Sequence, residues 1–147
     1  MINRKDNREK RLYLNFEGIN KKIKERFNTI LSQNGANITF DQWLILSEIA
    51  EKQGANQKEI ATSLAKEVSS VSRILKKLSS KNLVIKKINA QNIREYKLYL
   101  SPEGYEIVNG LGKTFVKTFK SIFSSVYEQE LNLVNDIISR VNKDLAT

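Results

Sequence analysis

The sequence has no cysteine and no histidine, and it contains only one proline and six glycines in 147 residues. The lack of cysteine excludes disulfides, thiolate metal sites and thiol redox sensing. The lack of histidine removes the commonest general base and the commonest zinc ligand. No acid pair at catalytic spacing and no glycine-rich phosphate loop takes their place. We therefore expect a protein that is not an enzyme and that has no metal or cofactor.

Long hydrophobic runs are also lacking. No apolar stretch approaches the ~18 residues that a membrane span requires, and the N-terminal MINRKDNREKR has no apolar segment typical of a secretion signal. These features predict a cytoplasmic protein without a membrane partner. The scarcity of proline and glycine argues against an all-β fold, which needs many turns, and favours long helices.

The charge is strongly one-sided, with a formal net charge of +9 and an isoelectric point near 9.7. Such a charge is typical of proteins that bind a polyanion, because neutralising phosphates releases condensed counterions. The alternative is a basic, solvated surface with nothing bound to it. Hydrophobic residues make up 40% of the chain, which is sufficient for the core of one domain.

A first long helix is predicted from apolar residues at steps of three and four, which form one helix face. These residues are Leu12, Phe16, Ile19, Ile23, Phe27 and Ile30. Asn34-Gly35 is expected to end the helix, because both residues tolerate the left-handed conformation. An apolar stripe of this length needs a partner, and a helix from a second copy is a candidate.

Three shorter helices follow. Thr39 to Gln42 has the spacing of a capping box, before a helix that places Trp43 in the core. Asn56 to Glu59 repeats this arrangement, and a further helix is predicted from Ser69 to Ser80. The last two helices are separated by about four residues, which is typical of a helix-turn-helix.

The periodicity then changes to that of β-strands. Residues 83–85 and 96–100 are rich in β-branched and aromatic residues, and the polar segment Asn89–Asn92 suits the tip of a hairpin. Ser101-Pro102 begins another helix, with serine as N-cap and proline at the first helical position. The predicted fold is mainly α with a small β-hairpin wing, that is, a winged helix-turn-helix.

The C-terminal segment keeps a helical apolar periodicity as far as Leu145, as either one very long helix or two. Both ends of the chain therefore carry amphipathic helices that a wing module does not need. A two-fold interface between copies explains them. We predict a dimerisation helix at 1–37, a winged helix-turn-helix domain at 38–101 and C-terminal dimerisation helices at 102–147.

The helix from Ser69 to Ser80 carries the main candidate site. When its apolar residues face the core, the residues that project outward are Ser69, Ser70, Arg73, Lys76 and Lys77. An arginine can pair with two acceptors of guanine in the major groove of DNA. The lysines, with Lys81 after them, are expected to contact phosphates. An ordinary solvated helix face is the alternative.

The hairpin is the second candidate site, since Lys86, Lys87, Arg94 and Lys97 flank its tip. An arginine near a hairpin tip can enter a narrow minor groove, where the negative potential is enhanced. The alternative is that lysines on these strands only prevent aggregation between sheet edges.

The chain resembles the MarR family of bacterial transcriptional regulators from about Ile38 to Gly104. The segments that carry the resemblance are ITFDQWLILSEIA, QKEIATSL, SSVSRILKKLSSKNLV and YKLYLSPEG, in this order and spacing. The resemblance implies a homodimer with intertwined terminal helices on a pseudo-palindromic DNA site. It also implies that the C-terminal segment divides into two helices near Tyr127-Glu128.

The resemblance assigns roles to individual residues. Ser69, Ser70, Ser72 and Arg73 fall where the family's recognition helix meets the major groove. The family's wing motif, Asp-any-Arg, reads Asn92-Ile93-Arg94 here, so a neutral amide replaces the acid. The resemblance also implies release of DNA by a ligand or by oxidation of a cysteine; because this chain has no cysteine, a small aromatic or organic ligand, or no ligand at all, remains.

The expected function is that of a sequence-specific transcriptional regulator, and of a repressor in particular, because bound dimers occlude promoters. Double-stranded DNA is the expected partner. The alternative is a winged-helix interaction or architectural module that binds nucleic acid without sequence specificity, or that binds protein.

Overall fold

The computed structural model describes residues 7–146 and shows the predicted mainly α fold with a small hairpin. Its elements are α1 (Arg8–Gln33), α2 (Phe40–Glu51), α3 (Gln57–Ser63), α4 (Val68–Ser80), β1 (Val84–Asn89), β2 (Asn92–Leu100), α5 (Pro102–Ile122) and α6 (Glu128–Leu145). The chain divides into two compact units, and the boundary between Gly110 and Leu111 lies inside α5. We call them the N-terminal and the C-terminal unit.

Helix starts in the N-terminal unit follow the predicted capping residues. The Thr39 hydroxyl accepts the Gln42 N–H at 3.2 Å, and the Gln42 side chain accepts the Thr39 N–H at 3.0 Å, which completes a capping box. At α3 the Asn56 side chain accepts the Glu59 N–H at 2.8 Å. At α5 the Ser101 hydroxyl accepts the Gly104 N–H at 3.1 Å. These bonds satisfy amides that the first helical turn leaves without partners.

The predicted start of α4 is wrong by one residue, since the helix begins at Val68 rather than Ser69. The Val71 N–H bonds to the Glu67 carbonyl at 3.1 Å, so the first turn forms earlier and Ser69 lies within it. The N-cap residue Glu67 forms no side-chain capping bond. Helix α4 therefore begins without a side-chain cap.

Helix α1 ends at Asn34-Gly35 as expected, but the two residues end it in different ways. Gly35 has φ +70°, whereas Asn34 keeps a negative φ of −93° and donates its side-chain amide to the Ile30 carbonyl at 2.8 Å. Only the glycine takes the left-handed conformation, in which it carries no Cβ penalty.

The core of the N-terminal unit is formed by apolar residues of α1 to α4 and the hairpin. Its fully buried side chains are Phe27, Leu31, Ile45, Leu46, Ile49, Ile60, Val71, Leu75, Leu78 and Leu98. Trp43 is buried as predicted. The Phe27 ring of α1 stacks on the Phe40 ring of α2 with centroids 4.3 Å apart.

The hairpin is longer than predicted, because β1 extends to Asn89 and β2 begins at Asn92. The strands pair antiparallel from Val84 opposite Leu100 to Ile88 opposite Tyr96, and an irregularity precedes the Asn89–Asn92 pair. Beside β2, the Gly54 N–H bonds to the Leu98 carbonyl at 2.8 Å, and the Leu98 N–H bonds to the Ala55 carbonyl at 2.9 Å. The α2–α3 connection thus anchors the base of the hairpin.

The C-terminal unit consists of the end of α5 and all of α6. Helix α6 begins at Glu128, which is the division that the resemblance implied, and the Tyr127 N–H bonds to the Glu130 side chain at 3.0 Å. No residue of α6 is buried. Within residues 7–146, no helix is both long and apolar enough to traverse a lipid bilayer.

Candidate DNA interface

The turn between α3 and α4 contains a left-handed residue and is held by two side-chain contacts. Ala65 occupies it with φ +52°, a left-handed conformation that a residue with a Cβ adopts rarely. The next residue, Lys66, bonds to the Asp41 carboxylate of α2 at 2.9 Å. Across the turn, the Gln57 side-chain amide donates to the Val68 carbonyl at 3.1 Å. The start of α4 is therefore fixed relative to both α2 and α3.

Asp41 also contacts Lys24 of α1 at 3.5 Å, so one carboxylate joins α1, α2 and the turn before α4. Burial raises the pKa of the Asp41 carboxyl, but the hydrogen bond and charge of Lys66, followed by those of Lys24, outweigh this effect. The pKa therefore lies below its ordinary value, and the carboxylate remains ionised at neutral pH.

Helix α4 has one apolar face and one basic face. Val71, Leu75 and Leu78 are buried, and Ile74, which we predicted in the core, is half-buried. The candidate DNA-contacting residues of this helix divide into an exposed set, Ser69, Arg73, Lys76 and Lys77, and a half-buried pair, Ser70 and Ser72. The sequence-predicted recognition residues thus lie along the solvent side of one helix, whose small residues are at the N-terminal end.

Lys81 follows this helix and was predicted to contact phosphate. In the structure its ammonium group donates to the Asn37 carbonyl at 2.5 Å. Lys81 therefore connects the end of α4 to the loop before α2. The freely exposed lysines of the helix are Lys76 and Lys77.

The wing brings two of its predicted residues toward the helix-turn-helix. Lys86 and Arg94 line a shallow groove of about 260 Å³ together with Lys58 at the start of α3 and Val68 at the start of α4. Three cationic side chains therefore border the space between the wing and the two short helices. Lys58 is an exposed residue of this groove that sequence reasoning did not select.

Of the other three predicted wing residues, Lys97 is exposed, whereas Lys87 and Asn92 make contacts within the wing. The Lys87 ammonium lies 4.9 Å from the centre of the Tyr99 ring, in a cation–π contact. The Asn92 side chain accepts the backbone N–H of Arg94 at 3.2 Å. Asn92 thus shapes the backbone before Arg94, as an aspartate could also do.

Sequence reasoning also missed a hydrogen-bonded pair between α3 and the wing. The Asn56 side-chain amide donates to the Glu95 carboxylate at 2.7 Å. The polar asparagine at an N-cap and the acid beside Arg94 are both visible in the sequence. Their pairing is not, because 39 residues separate them.

Residues 38–96 match the model of the MarR family. These residues form a MarR-family domain. The candidate residues of the recognition helix and the wing lie within it, except Lys97, which follows its last residue. None of the curated proteins matches the chain significantly.

Solved structures extend the likeness beyond this MarR-family domain. MepR of S. aureus in a DNA complex has 24% identity and a TM-score of 0.80, covering 90% of this chain and 96% of that one. The C80S mutant of MarR from E. coli with operator DNA has 20% identity and a TM-score of 0.79, covering 92% and 96%. PcaV of Streptomyces coelicolor with its natural ligand has 17% identity and a TM-score of 0.70, covering 85% and 89%.

These identities establish a shared winged-helix fold. The match to the MarR family covers residues 38–96, and over the rest of the chain the likeness is one of fold. The roles of individual side chains depend on the geometry described above.

Proposed function

We propose that this chain is a homodimeric, sequence-specific transcriptional repressor of the bacterial cytoplasm that binds a pseudo-palindromic operator. The observation that carries the proposal is the outer face of α4, where serines at the N-terminal end are followed by Arg73, Lys76 and Lys77 in exposed positions. The domain match and the DNA-bound relatives of the same fold support it.

In this proposal the two ends of α4 contact different parts of the duplex. Ser69, Ser70 and Ser72 allow the first turns to approach the major groove closely, and Arg73 pairs with guanine O6 and N7. Lys76 and Lys77 contact phosphates, which fix the register of the helix without reading sequence. Because Ser70 and Ser72 are half-buried, Ser69 and Arg73 are the more accessible of the base-reading set.

The wing supplies the second contact. Arg94 enters the neighbouring minor groove, and Lys86 contributes charge from the side of the groove between the wing and α3. Lys87 contributes less, since its ammonium lies over Tyr99. Asn92 acts through the backbone of Arg94 rather than through DNA.

Dimerisation is proposed from apolar residues that each unit exposes. In α1 these are Leu12, Phe16 and Ile19, and in α6 they are Leu133, Val134, Ile137, Ile138, Val141 and Leu145. Exposed apolar stripes of this length mark interaction surfaces, and a symmetric dimer is the commonest assembly that covers them. We therefore assign 1–37 and 102–147 to the dimer interface and 38–101 to DNA binding.

Regulation by a small organic ligand is the final part of the proposal. PcaV, which shares the fold, is known with a natural ligand, whereas oxidation of cysteine is excluded by composition. The proposal assigns the chain no cofactor and no enzymatic activity.

Selection of bound sequences from a random duplex pool tests the proposal directly. We expect a pseudo-palindromic consensus whose half-sites are one helical turn apart, or a multiple of that distance. Affinity for the consensus should exceed that for random DNA by at least ~10³-fold and should fall steeply with salt. Equal affinity for all duplexes would instead indicate an architectural module.

A further inference from the structure

Asn56 uses both atoms of its side-chain amide, and the two bonds lead to different elements. Its oxygen accepts the Glu59 N–H at 2.8 Å and thereby caps α3. Its nitrogen donates to one carboxylate oxygen of Glu95 in β2 at 2.7 Å. Both side chains are half-buried, so water competes with the second bond less than it would at an open surface.

The Glu95 carboxylate continues the connection toward the tip of the wing. Its second oxygen accepts from the Asn89 side-chain amide at 3.5 Å, and the Asn89 oxygen accepts the Gln91 N–H at 3.0 Å. A chain of hydrogen bonds therefore runs from the N-terminus of α3 through Glu95 to the two-residue tip. The bond between Glu95 and Asn89 joins the two strands where their regular pairing is interrupted.

This connection lies next to Arg94 on the same strand. Asn92 is hydrogen-bonded to the Arg94 backbone, so it restrains the main chain and not the direction of the whole wing. The Asn56–Glu95 bond instead connects the wing to the helix-turn-helix itself. It therefore restrains the distance between the wing and the beginning of α3, across the groove that Arg94 lines.

We propose that Asn56 and Glu95 are positioning residues that hold the wing at a fixed distance from the helix-turn-helix, so that Arg94 meets DNA in register with α4. This inference rests on the proposed function, because it requires the wing to contact DNA. Neither residue touches DNA in this proposal. They act by restricting where Arg94 can be.

An exchange of donor and acceptor between the two positions tests this assignment. Asn56→Asp keeps an N-cap acceptor of equal quality, but it places a carboxylate against Glu95 and removes the donor. Adding Glu95→Gln restores the bond with the direction reversed, since glutamine then donates to the new aspartate. The double variant also has the same net charge as the original chain. Gln91→Glu, at the exposed tip, is the charge-matched control for Asn56→Asp.

Two measurements are made on the full-length protein: amide hydrogen exchange of residues 86–96 without DNA, and affinity for the selected duplex. We expect Asn56→Asp to accelerate wing exchange roughly tenfold and to weaken DNA binding by a similar factor, beyond any effect of Gln91→Glu. The double variant should recover most of both losses.

Unchanged wing exchange in Asn56→Asp would overturn the restraint. A second outcome would overturn the role of the bond in DNA binding. In that outcome Asn56→Asp shows faster wing exchange, which the double variant reverses, but Asn56→Asp binds DNA with the same affinity as Gln91→Glu. If the original chain selects no consensus at all, the proposed function fails, whereas the exchange data still decide whether the bond holds the wing.

Discussion

Gly104 provides a sharp test of how the start of α5 packs against the hairpin. A Cβ at this position would lie 2.4 Å from the Leu83 carbonyl oxygen, 3.4 Å from the Leu83 carbonyl carbon and 3.5 Å from the Leu100 Cβ. Real Cβ atoms essentially never come closer than 3.0 Å to such a neighbour, so Gly104→Ala requires a movement of at least about 0.6 Å between the two backbone segments. The same Leu83 oxygen accepts the Ser101 N–H at 3.1 Å, and this bond would lengthen.

The magnitude follows from three contributions. Overpacking costs about 1–3 kcal/mol, and weakening the Ser101 hydrogen bond costs up to about 1 kcal/mol. The higher helix propensity of alanine returns about 1 kcal/mol. We therefore expect Gly104→Ala to lower the free energy of unfolding by up to about 3 kcal/mol, and by about 1–4 kcal/mol relative to a variant that gains the same helix propensity without the close contact.

Urea denaturation followed by far-UV circular dichroism, at one fixed protein concentration, measures this effect. Gly110→Ala is the matched control, because it lies in the same helix and its added Cβ would meet nothing within 4 Å. We expect this control to be neutral or to stabilise the protein by up to about 1 kcal/mol. Equal stability of the two variants would refute the close packing of α5 on Leu83.

Three further predictions concern recognition, electrostatics and assembly. Arg73→Ala should cost about 1–3 kcal/mol and relax specificity at one base pair per half-site, whereas Lys77→Ala should weaken binding to all sequences alike. A uniform loss for Arg73→Ala in the duplex selection would reassign it to phosphate. Asp41→Asn should destabilise the fold by about 0.5 kcal/mol at pH 7, since its ion pairs are partly exposed. The lowered pKa of Asp41 means that its contribution is present above pH 3.8 and is lost as the pH falls through the folded-state pKa, so acid titrations of the two proteins should converge. Val141→Lys, at an exposed position of α6, should weaken self-association in sedimentation, and a folded monomer with full operator affinity would contradict the interface.

The helix boundaries that the sequence predicts best are those with a local chemical cause. Thr39 with Gln42, Asn56 and Ser101-Pro102 each satisfy amides within the next three residues, so a short segment is sufficient to recognise them. Helix α4 has no such cap, and its start was misplaced at Ser69.

The strands were predicted too short for a related reason. Lys86, Lys87 and Asn89 are polar, yet pairing with β2 holds them in the sheet. Their conformation depends on a partner strand and not on their own propensity.

In the candidate site, residue types were predictable but their partners were not. The basic face of α4 follows from helical periodicity, because the buried residues Val71, Leu75 and Leu78 determine which side is exposed. The contacts of Lys87 with Tyr99, of Lys81 with Asn37 and of Asn56 with Glu95 join segments distant in sequence. Such pairs depend on how the elements pack, which no local pattern contains.

Helix α1 is long enough for a small tilt to displace its far end by several ångströms. Its 26 residues span about 39 Å at about 1.5 Å per residue. A tilt of about 5° about its first residues would move its far end by about 3.4 Å, which equals the rise of one DNA base pair. That last part is embedded through Phe27 and Leu31, and Asp41 joins Lys24 to Lys66 beside α4. In the proposed complex, a tilt of α1 that carries this embedded end and its neighbours along would therefore shift α4 by about one base-pair step.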